Sequence, residues 1–176
     1  MSRVSIRYAK ALFSLAQEEK KLDTVADDLD GIKSLLANSS DFISFIANPL
    51  LSSSKQSEVV GELFSGNVDK LTMDFLELIC RKKRLNQLVE IILAFDSLLL
   101  DQRNQVHAEV TSASALDDQQ MEAIRSNLEA MTQKSVLLDT KKDSGLIGGF
   151  KVLIDGVIID NSVKYQLSKL KEKLVS

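Results

Sequence analysis

The sequence predicts a mainly helical α+β protein, with a six-helix bundle over residues 1–105 followed by a small C-terminal α/β domain over residues 106–176. The prediction rests on periodicity. Apolar residues recur at steps of three and four as far as Gln105, and strict alternation begins at Val106. Later, Asp155-Gly156, a common two-residue hairpin turn, separates two β-prone stretches. A chain of 176 residues that is 44% hydrophobic can bury the core of one ordinary domain or of two small ones.

In the first helix Ile6, Ala9, Phe13 and Ala16 share one face, while Tyr8, Ala11, Leu12 and Leu15 cover the adjoining one. The apolar arc is wider than a bundle core needs. Either this helix is central and wrapped on all sides, or one face forms a groove for a partner helix, and periodicity alone does not choose. Leu22, Val25, Leu29, Ile32 and Leu36 make a narrow stripe on a second helix, ended by Asn38-Ser39-Ser40. A short third helix carries Phe42, Phe45 and Ile46. It should stop before Pro49, the single proline, which biases Asn48 away from helical backbone. A fourth, with Val59, Val60, Leu63 and Phe64, should end near Gly66. Leu71, Phe75 and Leu78 mark a fifth helix, and Leu85, Leu88, Ile92, Phe95 and Leu99 a long sixth. Between these two lies Arg81-Lys82-Lys83-Arg84. Cations at a helix end favour the carbonyl pole, and without interleaved aromatics the run reads as a solvated terminus rather than a nucleic-acid site.

From Val106 the residues Val106, Ala108 and Val110 alternate with His107, Glu109 and Thr111, the period of a half-buried strand. Met121, Ile124, Leu128 and Met131 form a helical stripe, and Val136, Leu138 and Thr140 resume the alternation. Gly145, Gly148 and Gly149 punctuate a loop. The hairpin strands run over Phe150 to Ile154 and Val157 to Ile159, and Asn161 or Ser162 caps a last helix bearing Val163, Leu167, Leu170 and Leu174.

The chemistry expected of an enzyme is largely missing. A formal charge of -3, from 22 Lys plus Arg against 25 Asp plus Glu, gives no excess to attract nucleic acid or an anionic bilayer. The one histidine, His107, has no second histidine or cysteine pair with which to hold zinc, so no metal is expected. The one cysteine, Cys80, lies in an apolar helical pattern and reads as buried and inert, not as a nucleophile paired with His107. Adjacent carboxylates such as Asp27-Asp28 point in different directions on a helix and do not make an acid/base pair. The loop from Gly145 to Gly149 lacks both phosphate-binding spacings, and Lys151 falls in a β pattern instead of at a helix start. No catalytic residue and no cofactor are therefore assigned. The N-terminus lacks a continuous apolar core and a cleavage motif, and Glu18-Glu19 follow its basic residues, so a mature start is expected in place of a signal or transit peptide. The run Ile91 to Phe95 is far shorter than the ~20 residues of a membrane span.

Together Tyr8-Ala9-Lys10-Ala11-Leu12-Phe13, Asn48-Pro49, Arg84-Leu85 and the stretch Asp143 to Leu167 resemble the delta subunit of bacterial F-type ATP synthases, whose mitochondrial relative is the oligomycin-sensitivity-conferring protein. The most specific part is Leu146-Ile147-Gly148-Gly149-Phe150 with Ile158-Ile159-Asp160 and Ser162-Val163, from which Gly148, Gly149, Asp160 and Ser162 are taken as family-motif residues. Gly145, Asp155-Gly156 and Asn161 depart from the family pattern, all within turns.

The resemblance implies a non-catalytic stator subunit of the peripheral stalk that links the catalytic F1 head to membrane-anchored b subunits during proton-driven ATP synthesis. It implies a groove between the first and fifth helices, lined by Tyr8, Ala11, Leu12, Leu15, Leu71, Phe75 and Leu78, that receives the N-terminal helix of an alpha subunit. The C-terminal domain would hold the C-terminal ends of the b subunits. Membrane association would be indirect, on the cytoplasmic side of a bacterial plasma membrane ahead of a thylakoid or organelle stromal side. Four large apolar side chains buried at ~1.5–3 kcal/mol each would give roughly 6–12 kcal/mol gross at the groove. The competing readings are a free-standing helical adaptor and a small nucleotide-binding enzyme using the Gly145 to Gly149 loop.

Overall fold

The computed structural model describes residues 2–48 and 50–175, except for the side chains of Leu170 and of residues 173–175. The chain divides into two compact units, Met1–Leu99 and Leu100–Ser176.

The first unit contains α1 (Arg3–Glu18), α2 (Leu22–Asn38), α3 (Ser40–Ala47), α4 (Ser53–Phe64), α5 (Lys70–Arg81), a 3-10 turn (Leu85–Gln87) and the greater part of α6 (Leu88–Gln102). Short polar side chains start α1, α3, α4 and α5: Ser2, Ser39, Ser52 and Asp69 accept backbone N–H groups that have no partner within their own first turns. The stripe on α2 packs as its spacing requires, with Val25, Leu29, Ile32 and Leu36 all buried. They meet Ala9, Leu12 and Ala16 of α1, Leu76 and Ile79 of α5, and Ile91, Ile92 and Phe95 of α6 in one core.

On α1 the buried line differs from the expected one. Ile6 is 37% exposed, and Ser5 is fully buried in its stead. The reason is a polar contact with α6: Glu90 Oε2 accepts both the Ser5 hydroxyl and the Ser2 N–H at 2.8 Å. The sixth helix also begins later than the spacing suggests. Lys83 takes a left-handed φ of 54° and Arg84 N–H bonds back to Ile79 O at 2.8 Å, which reverses the chain. Leu85 is buried as expected, but in a 3-10 turn ahead of α6. The expected stop at Pro49 lies outside the described residues; α3 ends at Ala47 with Asn48 extended.

One carboxylate ties two helices together. Asp28 Oδ2 on α2 accepts the Asp69 N–H at 2.9 Å and the hydroxyl of fully buried Thr72 at 2.6 Å, both at the head of α5. Replacing Asp28 with Ala leaves that hydroxyl without a partner. We expect a loss of about 1–3 kcal/mol in unfolding free energy, measurable by urea denaturation.

The second unit contains β1 (Gln105–Ser112), α7 (Asp118–Thr132), β2 (Ser135–Lys142), β3 (Phe150–Ile154), β4 (Val157–Asp160) and α8 (Val163–Val175). The sheet order is β2-β1-β3-β4, with β1 parallel to β2 and antiparallel to β3, and β3 antiparallel to β4. Val106, Ala108 and Val110 point to one face, where Ile124 and Leu128 of α7 cover them beside Val136, Val152 and Ile154. Met131, expected in the same stripe, is 69% exposed, because the chain leaves the sheet there and Gln133 turns left-handed into β2. Asp155 and Gly156 have φ of 48° and 77°, the paired left-handed residues of a tight hairpin. The last turn of α6 clusters with this unit, six residues before the change of periodicity, since Lys134 bonds Asp101 at 2.8 Å and Ser135 N–H bonds Asn104 O at 3.0 Å.

Candidate functional site

All seven residues assigned to a groove line one cavity of about 520 Å³ between α1 and α5. Helical spacing explains why. Tyr8, Ala11, Leu12 and Leu15 fall on adjoining turns of α1, and Leu71, Phe75 and Leu78 on one face of α5. The Tyr8 and Phe75 rings meet edge to face with centroids 6.5 Å apart.

The seven do not contribute equally. Leu12, Leu71 and Phe75 are 2%, 7% and 7% exposed, so they belong to the unit's own core and form the floor. Leu15 is 42% exposed, Ala11 is exposed, and Tyr8 and Leu78 are half-buried, so these four form the walls. Three of the seven expected lining residues are thus already covered by the unit itself, and four remain open to a guest. A helix docked there would gain from the unfinished burial of the walls, roughly 2–4 kcal/mol on this side, and not from four complete side chains.

Three charged residues also line the cavity and were not assigned from the sequence: Arg7, Glu19 and Asp74. Each lies one turn from an apolar lining residue, Arg7 from Ala11, Glu19 from Leu15, and Asp74 from both Leu71 and Leu78. The signal was present in the spacing but is invisible to a search for apolar faces alone. The Arg7 guanidinium stands 6.0 Å from the centre of the Tyr8 ring.

In the second unit the motif residues join the start of β3 to the head of α8. Gly149 has φ of 80°, and a Cβ there would stand 2.4 Å from Asn161 O and 3.0 Å from Ser162 Cα. At Gly148 a Cβ would stand 3.1 Å from Val163 Cγ2, and Gly148 O accepts the Val163 N–H at 3.0 Å. Asp160 Oδ1 accepts the Ser162 N–H at 2.9 Å and Asp160 pairs with Lys151 at 3.2 Å. Ser162 is the capping residue, its Oγ accepting the Tyr165 N–H at 3.3 Å. The space a side chain would need at Gly149 is thus filled by the backbone of residues 161 and 162. On α8 Val163, Tyr165 and Leu167 are exposed, while the side chains of Leu170 and Leu174 lie outside the described residues.

The other chemical candidates are brought to rest. Cys80 is fully buried, and burial pushes its thiol pKa up, away from the reactive thiolate. His107 lies on the open face of the sheet with Nε2 2.7 Å from Asp139 Oδ2. Arg81 to Arg84 are all exposed at the end of α5.

Three carboxylates are held below their ordinary range: Asp69 by the Leu71 N–H and then Lys21, Glu90 by the Ser2 N–H and then the Ser5 hydroxyl, and Asp160 by its hydrogen bonds from Ser162 and then Lys151. Their ionised forms fit the folded chain best, so the unfolded chain takes up protons first as the pH drops. The stability they contribute is complete above the ordinary carboxylate range and is lost as the pH falls through their lower folded values. Tm is therefore expected to fall below about pH 4, and less steeply in Asp69→Asn, by calorimetry across an acid series.

Comparison with known proteins gives a consistent set of similarities. The profile of the family described as ATP synthase delta (OSCP) subunit matches residues 4–174. An ATP synthase subunit delta of Chlorobium phaeobacteroides (strain BS1) is 38% identical over 170 residues, covering 97% of this chain and 94% of that protein. Another, from Rhodopseudomonas palustris (strain HaA2), is 33% identical over 175 residues, covering 99% and 94%. Among solved structures, a chain of the Toxoplasma gondii mitochondrial ATP synthase hexamer shares the fold with a TM-score of 0.79 over 99% of each chain, at 22% identity. A chain of the Polytomella F-ATP synthase matches 58% of this chain and 90% of its own length with a TM-score of 0.52, at 21% identity.

Proposed function

The chain belongs to the ATP synthase delta (OSCP) subunit family, and from that premise we propose that its two units grip two different partners, the N-terminal helix of an alpha subunit and the C-terminal ends of the b subunits. As a member of that family it is a non-catalytic peripheral stalk component of an F-type ATP synthase. Among the described residues no helix is long and apolar enough to cross a membrane. Its place at the membrane comes through the complex, on the cytoplasmic side in our reading.

The observation that carries the first contact is the groove on α1 and α5, whose walls are apolar and incompletely buried. An amphipathic helix laid along it would complete the six helices of the N-terminal unit from outside. Exposed Val163, Tyr165 and Leu167 on α8 support the second contact. The energetics favour a two-ended grip. About 2–4 kcal/mol from the walls, with a similar amount from the guest, stands against an association cost of roughly 4–15 kcal/mol. Each contact alone is then weak, and holding both raises the effective concentration of each.

Titration of the chain with a peptide of the alpha-subunit N-terminal helix tests the first contact calorimetrically. Saturable binding without turnover is expected, and binding untouched by Tyr8→Asp with Leu78→Asp would overturn the groove assignment.

A further inference from the structure

The groove is polar along its length. α1 and α5 run in opposite senses, because Lys21, just past the end of α1, bonds Asp69 at the head of α5 at 3.0 Å, while Tyr8 near the start of α1 meets Phe75 further along α5. The C-terminal turn of α5 therefore lies toward the N-terminal end of α1. Arg7 lines that end beside Leu78; Arg3 stands one turn before it, and Arg81 and Lys82 one turn beyond Leu78. These four cations are exposed, and none pairs with a carboxylate among the described residues.

The charges that line the rest are carboxylates, Asp74 midway and Glu19 at the far end. Asp74 is exposed and has no partner among the described residues, and Glu19 keeps only a loose pair with Lys21 at 3.8 Å. Lys20 and Lys70 stand near that end without lining the groove, as Arg3, Arg81 and Lys82 do at the other, so the gradient rests on the charges that line it, Arg7, Asp74 and Glu19.

Resting on the reading of this groove as a helix-docking site, we infer that its occupant is a charge-segregated amphipathic helix, seated with its acidic end at Arg7 and Arg81 and its basic end at Asp74 and Glu19. The apolar floor and walls supply adhesion in any direction and at any register. The charge gradient fixes direction, since the reversed seating sets like charges against each other at both ends.

The test uses the full chain and three synthetic helical peptides with one shared apolar stripe: one with acidic and basic residues at opposite ends, one with the same charges interleaved, and one with neutral polar residues. Fluorescence anisotropy at low and high salt is expected to show the segregated peptide binding roughly five- to tenfold tighter than the interleaved one at low salt, with the gap closing at high salt. Arg7→Glu with Arg81→Glu should abolish the gap, lowering the affinity of the segregated peptide more than that of the neutral one. Equal affinities for the segregated and interleaved peptides, or a gap that survives both charge reversals, would overturn the inference. Failure of all three peptides to bind would instead remove the docking reading on which it stands.

Discussion

A chain carrying Tyr8→Asp and Leu78→Asp is expected to bind the alpha-subunit helix at least ~100-fold more weakly than the parent, a change of about 3 kcal/mol or more. Two terms add. Wall burial is lost, and each new carboxylate must either shed its water against an apolar helix or hold the guest away. The fold should survive, because both side chains are half-buried rim residues and the main structural loss is the edge contact of Tyr8 with Phe75, worth about 1 kcal/mol. Two controls give the result its meaning. Leu93→Asp, at a 44% exposed site on α6 that does not line the groove, should leave binding unchanged. Leu12→Asp should instead unfold the first unit, since its side chain is only 2% exposed. Circular dichroism of all three variants separates lost docking from lost structure.

Gly149→Ala is expected to destabilise the second unit by roughly 2–4 kcal/mol. The added methyl meets backbone, Asn161 O at 2.4 Å, which cannot rotate aside as a flexible side chain could. Its φ of 80° adds strain for any residue with a Cβ. Relief requires the start of β3 to part from the head of α8, which breaks the bond from Asn161 N–H to Phe150 O at 3.0 Å. Gly156→Ala is the informative comparison, because its φ of 77° carries the same backbone strain with nothing within 4 Å of the new methyl. If both substitutions cost the same, close approach at Gly149 is not what the position requires. Thermal denaturation followed in the far ultraviolet distinguishes these outcomes.

Most of the architecture was legible because it rests on period. The stripe on α2, the alternation of β1 and the Asp155-Gly156 hairpin each depend on residues close in sequence, and each appears where its spacing puts it. The misplaced positions share a different cause. Ser5 is buried in place of Ile6 because Glu90, 85 residues away, accepts its hydroxyl, and no local pattern records such a partner. Leu85 lies before α6 because backbone bonds at Lys83 and Arg84 close the end of α5, a matter of geometry and not of side-chain character. At the groove, the apolar residues were identified together, but which are floor and which are wall depends on how closely α2 and α6 pack behind them. The rim charges were within reach of the same one-turn spacing, had polar residues been followed as closely as apolar ones.

The fastening at the head of α5 has a mechanical consequence. Asp69 there is held by Lys21 from beyond α1 and by Asp28 from α2, and Asp28 also grips Thr72. If a guest seats in the groove as proposed, a sustained tug on it along the axis of α5 would be shared among the helices that these contacts join instead of peeling one away. With the load divided in this way, no single one of these contacts would have to bear the whole of it.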